Sequence, residues 1–408
     1  MGSVKDLVKD DSLAGKLFIP PTPHSFGRGA WKVSGRFSVG DLKGLIPPME
    51  IEDKNFVLAM TASAYLESAA NEGIDSCYEG MMNANGEVVG VRDLLDKGEL
   101  SDVIVMKLAN VPASGKQEDV TAYHKAIRDG DLTVYVADVE AIFRKGVPLG
   151  SSVFKKICAM ADKGAEYEQT ATYEQTVALL DEVRTGILVN GSPQIMKYLA
   201  TLGLDSIPDP GAILPRPVFN FTTKFAESGD ADITEEEVVN RLGGNAQLAK
   251  ELSALLRNCT SHQIKYCEQK GIVNIDGKIE ATVTPGGVSL TDFACTPDEN
   301  RLMLRYTHKG TEYLLPTNKE IQRAIFRKEG IYDAIEKAKT AHGDKWKSFL
   351  LKYTTLNALG NATQESVELM ASAIGTVGNR ILGKTVFDAK PIDQWAPAFL
   401  PYASRVQK

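Results

Sequence analysis

The sequence predicts an α+β fold, in which antiparallel strands and helices occupy separate runs of the chain. Strand-like and helical segments do not alternate as βαβ units, residues 275–301 have the pattern of a hairpin, and the chain beyond residue 317 is largely helical by pattern. With 408 residues the chain is long enough for two domains, or for one domain with a large extension. Neither GxGxxG nor GxxxxGK[ST] occurs, so a dinucleotide-binding fold and a P-loop ATPase are not supported.

The composition is typical of a folded protein that works in water. Hydrophobic residues make up 43% of the chain and charged residues 24%, and the net charge is -7. This acidic balance argues against a nucleic acid or an anionic membrane surface as the main partner. The five cysteines show no CxxC spacing, so we expect neither a zinc site nor a disulfide framework. No signal peptide and no apolar stretch of membrane-spanning length is recognisable, which predicts a cytoplasmic protein.

The first part of the chain predicts short strands and one clear helix. Residues 56–73 repeat apolar positions at helical spacing and end on glycine. Strand candidates follow at 87–91 and 102–108. The polar string ANVPASGKQED, residues 109–119, contains proline and glycine and is typical of a linker or hinge.

The middle of the chain predicts one long strand and then a helical region. Residues 132–144 are strand-like, and residues 158–207 are helical by pattern. Thr234 followed by Glu237 forms a capping box, which predicts that the next helix starts there.

Residues 275–301 predict a hairpin that sets two acids opposite each other. If Thr284 pairs with Val288 across the turn, counting outward pairs Glu280 with Asp292. Like charges at opposed positions destabilise a sheet, unless a cation lies between them. Carboxylate oxygens suit Mg²⁺, which takes one or two carboxylates together with substrate phosphates. The alternative is a solvated hairpin, or a register shifted by one residue through a bulge.

Two further segments have features of phosphate sites. In GVPLGSSVFKK, residues 146–156, Gly150 and Ser151 stand at a predicted helix start, just after Arg144. Unpaired amide groups and the helix dipole favour an anion at such a start. The alternative is an ordinary capped turn with surface lysines. Near residue 1, GSVKD either forms a glycine turn with Lys5 reaching a phosphate or is a frayed terminus.

Five strings in order resemble the SAICAR synthetase family: GSVKDLV, GRFSVGD, VEAIFRKGVPLGSS, LPRPVFNFTTK, and IDGKIEATV with TDFACTPDENR. That family uses ATP to join L-aspartate to the carboxylate of carboxyaminoimidazole ribotide (CAIR) in purine biosynthesis. The resemblance implies a small antiparallel β domain, similar to a kinase N-lobe, packed on a larger α/β domain. We accordingly divide the chain into an ATP-covering domain at 1–109, a domain with the CAIR and metal sites at 110–316, and a helical C-terminal extension at 317–408.

The resemblance implies a nucleotide and metal site. Lys5 matches the lysine on the turn that covers the ATP phosphates, and Lys107 matches the strand lysine near the nucleotide. Glu280 and Asp292 match the two acids that hold Mg²⁺ with ATP. Asp41 falls where the family has an active-site aspartate.

The resemblance also implies an acceptor site. Arg144, Ser151 and Arg301 match positions that grip the phosphate of the ribotide. Lys224 and Asp230 match residues that line the CAIR and aspartate sites. For each of these residues the alternative is a surface salt bridge. A homo-oligomer is left open.

Some positions depart from the family pattern. Phe293 stands where the family follows its metal aspartate with a glutamate, Ala281 and Thr282 replace a Phe-Gly pair, and IPPMEIED replaces a glycine-rich segment. The insert at 158–207 is longer than in compact members. Two alternatives to a SAICAR synthetase follow: a paralogous ATP-dependent carboxylate-amine ligase with another acid or amine, or a nucleotide-binding protein without catalysis.

Overall fold

The computed structural model describes residues 5–37, 49–170, 172–225, 231–317 and 320–406. The strands are β1 (Lys5–Leu7), β2 (Gly27–Val33), β3 (Arg36–Phe37), β4 (Met49–Glu50), β5 (Tyr78–Met82), β6 (Val88–Val89), β7 (Val103–Leu108), β8 (Tyr135–Val147), β9 (Ala212–Thr222), β10 (Asp232–Ile233), β11 (Ile272–Thr284), β12 (Gly287–Thr291), β13 (Asn300–His308), β14 (Thr311–Pro316) and β15 (Ser404–Arg405).

The helices are α1 (Lys54–Asn71), α2 (Val91–Lys97), α3 (Gln117–Asp129), α4 (Ser152–Met160), α5 (Gly164–Glu168), α6 (Tyr173–Asn190), α7 (Pro193–Thr201), α8 (Glu235–Arg241), α9 (Ala246–Gln269), α10 (Glu320–Lys328), α11 (Ile331–His342), α12 (Trp346–Phe349), α13 (Leu356–Leu382) and α14 (Ile392–Phe399). No helix in the described ranges is long and apolar enough to cross a membrane.

Two larger sheets organise the chain, and the predicted α+β class is confirmed. The first sheet has the strand order β1-β2-β7-β5-β6, and the second has the order β10-β9-β8-β11-β13-β14-β15, with β12 paired to β11. Every ladder between these strands is antiparallel. Several neighbouring strands are far apart in sequence: β8 and β9 are separated by α4, α5, α6 and α7, and β15 returns to β14 after the C-terminal helices.

The predicted elements are found with shifted ends. The helix predicted at 56–73 is α1, and Gly73 follows it with a positive φ of 76°. The strand predicted at 102–108 is β7, whereas only Val88–Val89 forms within the stretch predicted at 87–91. The helical insert is divided into α4, α5, α6 and α7. Thr234 caps α8, since its hydroxyl accepts the N–H of Glu237 at 3.2 Å.

The hairpin forms, but its predicted register is wrong by one residue. Thr284 pairs with Gly287, so the loop has two residues, and Glu280 lies opposite Thr291. Asp292 is therefore the first residue beyond β12, with a left-handed φ of 61°. A one-residue slip moves a strand's side chains to the other face. The side chain of Asp292 is accordingly placed by its own backbone turn and not by the ladder.

The helical C-terminal region packs on the rest of the molecule. Helix α13 contacts both α1 and α10, and its apolar residues belong to the same core as α1 and the strands β8 and β11. Gly378 of α13 allows this close packing, because a Cβ there would lie 2.7 Å from Phe387 and 3.1 Å from Val57. The domain boundaries at 109 and 316 stay a prediction.

Candidate active site

The start of β1 meets the end of the β11–β12 hairpin. Lys5 forms an ion pair with Asp292, and its Nζ lies 4.6 Å from the centre of the Phe293 ring. Both charged side chains are largely buried, at 15% and 20% exposure. Burial lowers the pKa of Lys5, although the nearby Glu280 and Glu299 oppose this shift. The residue predicted to cover phosphates and one predicted metal ligand are thus in direct contact.

Glu280, the second predicted metal ligand, is buried on β11 and forms an ion pair with Lys224. Burial by itself would raise the pKa of Glu280, but Lys224 and Lys5 outweigh it and hold the pKa below its ordinary value. The carboxylate is therefore ionised at neutral pH and offers two oxygen acceptors. Lys224, which the sequence placed at the acceptor side, belongs to the same cluster of charges as Glu280.

Three more charged residues join this cluster, and the sequence reasoning missed them as site residues. Glu140 of β8 lies directly opposite Glu280. The amino group of Lys278 donates to Glu140 at 2.9 Å and lies 3.6 Å from Glu299. Burial raises the pKa of Glu140, against the effect of Lys278. The signal for Lys278 was present, because residues two apart on a strand share a face and Lys278 precedes Glu280 by two.

Asp138 anchors the segment that carries Lys224. Its side chain is fully buried, and its Oδ1 accepts the backbone N–H of Lys224 at 3.2 Å and of Phe225 at 2.7 Å. Its Oδ2 pairs with Arg241 and lies 3.0 Å from His124 Nε2. Burial would raise the pKa of Asp138, but His124, the amide of Phe225 and Arg241 together lower it. The buried carboxylate of Asp138 thus fixes the backbone of the segment that carries Lys224.

The predicted acceptor residues lie on neighbouring strands. Arg144 of β8 pairs in register with Asp276 of β11, and Arg301 donates to Asp276 at 2.8 Å. Arg144 also donates to the Ser152 hydroxyl at 3.1 Å, at the first residue of α4. Ser151 is buried and caps this helix, with its hydroxyl accepting the N–H of Val153 at 3.3 Å. Arg144 thus contacts the start of α4, and Arg301 binds the acid that lies opposite Arg144 in the ladder.

Some predicted site residues are not brought to this cluster. The exposed Lys107 lies opposite Arg28 on β2, whereas Lys5 lies opposite Val33 on the same strand. Five residues along a strand span about 17 Å, so the two lysines are at opposite ends of β2. Such a span is compatible with an elongated nucleotide along the strand. Asp41 and Asp230 lie outside the described residues.

The acids present fit a metal ion that takes most of its ligands from elsewhere. Within the described ranges, no three His, Cys, Asp or Glu side chains are grouped closely enough to hold a metal by themselves. Glu280 is ionised and offers carboxylate oxygens as ligands. Asp292 pairs with Lys5, the same lysine that helps to lower the pKa of Glu280. One or two carboxylates with phosphate oxygens and water is the usual donor set of Mg²⁺. Glu280 and Asp292 are the residues that would hold it.

Comparison with known proteins supports the predicted resemblance. Residues 194–340 match the family model described as SAICAR synthetase. Over this segment, the chain is similar to the SAICAR synthetases. The phosphoribosylaminoimidazole-succinocarboxamide synthase of Thermodesulfovibrio yellowstonii is 37% identical over 91 residues, which are 22% of this chain and 30% of that protein. The enzyme of the same name from Thermoplasma acidophilum is 25% identical over 142 residues, or 35% of this chain and 48% of that protein.

The similarity to these relatives is partial. The chain matches 30% of the length of the first of these relatives, and less than half of the second. Among solved structures, SAICAR synthase from Saccharomyces cerevisiae complexed with SAICAR has a TM-score of 0.49 and 14% identity, covering 94% of each chain. A SAICAR synthetase in complex with ADP has a TM-score of 0.44 and 13% identity, covering 82% of this chain and 95% of that one. The segment that matches the SAICAR synthetase family contains Glu280, Asp292 and Arg301.

Proposed function

We propose that this protein is an ATP-dependent ligase that joins L-aspartate to the carboxylate of CAIR, giving SAICAR, ADP and phosphate. One observation carries the proposal: Lys5 pairs with Asp292 and Lys224 with Glu280, so cations and carboxylates alternate within one buried cluster. Such an arrangement presents positive charge to phosphates and oxygen donors to a metal. The match of residues 194–340 to the SAICAR synthetase family supports the same assignment.

The first step transfers the γ-phosphoryl group of ATP. A carboxylate oxygen of CAIR attacks the γ-phosphorus, the bond to the β-phosphate oxygen breaks, and ADP leaves with the electron pair. Lys5 and Lys224 neutralise charge on the phosphoryl oxygens, because phosphoryl transfer depends mainly on positioning and electrostatic stabilisation. Glu280 and Asp292 would hold Mg²⁺, which would further neutralise charge on the phosphoryl oxygens. The product is an acyl phosphate, a better electrophile than a carboxylate.

The second step forms the amide. The amine nitrogen of L-aspartate attacks the acyl carbon, the carbon–oxygen bond to phosphate breaks, and the departing phosphate takes the proton that the nitrogen loses. Arg144 and Arg301 hold the ribotide phosphate, so that the acyl group stays beside the lysines. No covalent bond between the enzyme and a substrate is required.

ADP release tests the proposal. Purified protein with Mg²⁺, ATP, CAIR and L-aspartate should release ADP and form SAICAR, and omission of any one substrate should stop both. Glu280→Gln should abolish turnover, whereas Glu312→Gln, at an exposed ion pair with Arg305, should leave it unchanged. A folded protein that binds ATP but releases no ADP in the full mixture contradicts the proposal.

Phe293 favours a second candidate, a paralogous ligase with another acid or amine. The ring of Phe293 lies beside Lys5, where the family pattern has a carboxylate. An aromatic ring in place of a carboxylate removes a negative charge next to the phosphate-covering lysine and so changes what that lysine contacts. ADP release with CAIR but without any need for aspartate identifies a ligase with another amine, and ADP release only when another carboxylic acid replaces CAIR identifies a ligase with another acid.

A further inference from the structure

A carboxylate from the helical C-terminal region reaches the predicted phosphate-binding arginine. Glu320, the first residue of α10, is only 7% exposed. It accepts a hydrogen bond from Arg301 Nη2 at 3.2 Å and also pairs with Arg323. Arg301 Nη1 donates to Asp276 at 2.8 Å. The guanidinium of Arg301 is thus fixed at both of its ends, once by the sheet and once by the C-terminal helix.

The same carboxylate lies against the turn that precedes α4. Gly150 has a φ of 78°, and a Cβ at that position would lie 2.5 Å from Glu320 Oε2. Glu320 therefore lies beside Gly150, just before the start of α4, as well as beside the strand residue Arg301. Both are parts of the acceptor site, and they come from distant parts of the sequence.

Two simpler explanations for Glu320 make different predictions. An acid in the first turn of a helix stabilises that helix through the dipole. This explanation accounts for the residue type, but not for its burial between arginines from two elements. A second explanation treats Glu320 as a negative charge that weakens any anion site near Arg301. Burial would raise the pKa of Glu320, yet Arg301, Arg323 and Arg327 hold it below its ordinary value, so the charge is present at neutral pH.

We propose that Glu320 is a positioning residue for a phosphate-bearing acceptor: it fixes the guanidinium of Arg301 beside the turn at Gly150 and so links the C-terminal helices to the acceptor site. The inference rests on the proposed function for the assignment of Arg301 to phosphate. A bidentate guanidinium is effective only in a defined orientation, and small displacements of a positioning group are costly. Loss of Glu320 therefore weakens phosphate binding, even though it makes the site more positive.

Binding of ribose 5-phosphate and of inorganic phosphate, measured by calorimetry, tests this role without any need for turnover. Glu320→Gln removes the charge but keeps the length, and Glu320→Asp keeps the charge but withdraws it by one methylene. Positioning predicts that both variants bind ribose 5-phosphate at least about tenfold more weakly. ATP affinity should be unchanged. If Glu320 instead acts only as a negative charge that weakens the anion site, Glu320→Gln should bind ribose 5-phosphate more tightly and Glu320→Asp should bind it as the wild type does. Either result overturns the proposal.

The controls separate this inference from the proposed function. Glu312→Gln breaks an exposed pair with Arg305 on the same sheet and should leave ribose 5-phosphate binding unchanged. Arg301→Met should abolish that binding. If Glu320→Gln does not fold, as judged by circular dichroism, the Glu320→Asp result decides. A wild-type protein without ligase activity that still shows these binding differences refutes the ligase proposal alone, whereas a wild type that binds neither phosphate probe refutes the role of Glu320.

Discussion

Replacing Asp138 should both destabilise the fold and displace Lys224. One oxygen of this buried carboxylate accepts two backbone N–H groups, from Lys224 and Phe225, and the other pairs with Arg241. Asp138→Ala removes all of these contacts at once. It leaves two backbone donors without their acceptor and a guanidinium without its main partner. Unpaired donors and charges at buried positions carry the full cost of desolvation.

The magnitude follows from the contacts. A hydrogen bond to a charged acceptor contributes about 1.5–3 kcal/mol, and breaking a buried ion pair costs about 3–5 kcal/mol. These contributions share one carboxylate and do not add. Arg241 is 17% exposed and keeps a second partner in Glu237 at 3.0 Å, which reduces its share. We therefore expect Asp138→Ala to lower the free energy of unfolding by about 3–4 kcal/mol, and Asp138→Asn, which keeps one acceptor oxygen, by about 2 kcal/mol.

Urea unfolding followed by tryptophan fluorescence measures this difference. The matched control is Asp129→Asn, which breaks an exposed i,i+4 pair with Lys125 and should cost less than about 1 kcal/mol. In the ligase assay, Asp138→Ala should lower kcat, because the backbone of Lys224 then loses the carboxylate oxygen that holds it. A cost below about 1 kcal/mol for Asp138→Ala would refute the view that this carboxylate anchors the segment.

Three further predictions concern buried charges and one turn. The pKa of Glu280 in the folded protein lies below its ordinary value of 4.5. Its stabilising contribution is therefore present above pH 4.5 and is lost as the pH falls through the folded pKa. Glu280→Gln should make the free energy of unfolding, measured with urea, depend less on pH in the acid range. Lys54, which is 0% exposed, pairs with Asp298 at 3.0 Å, so Lys54→Met should cost about 3–5 kcal/mol, and a double-mutant cycle with Asp298→Leu should recover part of it. Gly150→Ala should cost more than Gly310→Ala in thermal unfolding, since both glycines have a φ of 78° but only the first Cβ would meet a neighbour; equal costs would contradict the contact with the α10 carboxylate.

Local signals in the sequence were sufficient for single elements. The apolar spacing of α1, the glycine after it and the cap at Thr234 each act within a few residues, and each is found in the structure. The strand β7 is likewise found where its residues predicted it. These features depend on neighbours in the chain, which a sequence shows directly.

The hairpin register depended on a choice that the sequence left open. Pro285, Gly286 and Gly287 all favour turns, so a two-residue and a three-residue loop are both compatible with the string. The structure has the two-residue loop, and Gly287, with a φ of 120°, already belongs to β12. The difference of one residue decides whether Asp292 lies in the ladder or beyond it. The contact of Asp292 with Lys5 could not be derived from strand counting.

The supporting charges were missed because they lie far apart in sequence. Lys278 and Glu140 are separated by 138 positions and meet only because β8 and β11 are neighbours in one sheet. Asp138 reaches the amides of Lys224 and Phe225 in the same way, across the second sheet. Spacing within a motif carries no information about such pairs. The family resemblance identified only residues within the matching motifs. It did not identify the residues that pair with those side chains or fix their backbone.

If the protein is the proposed ligase, the paired charges of the site also determine how it binds a triphosphate. Lys5 and Lys224 each already pair with a carboxylate, Asp292 and Glu280. A phosphate that binds these lysines must replace their carboxylate partners. The net binding free energy is then the difference between the lysine–phosphate contact and the lysine–carboxylate contact that is lost, so it is smaller than that of either contact alone. A divalent cation that takes over the two carboxylates removes this competition. Nucleotide and metal should therefore bind cooperatively, because each one releases the partner that the other needs.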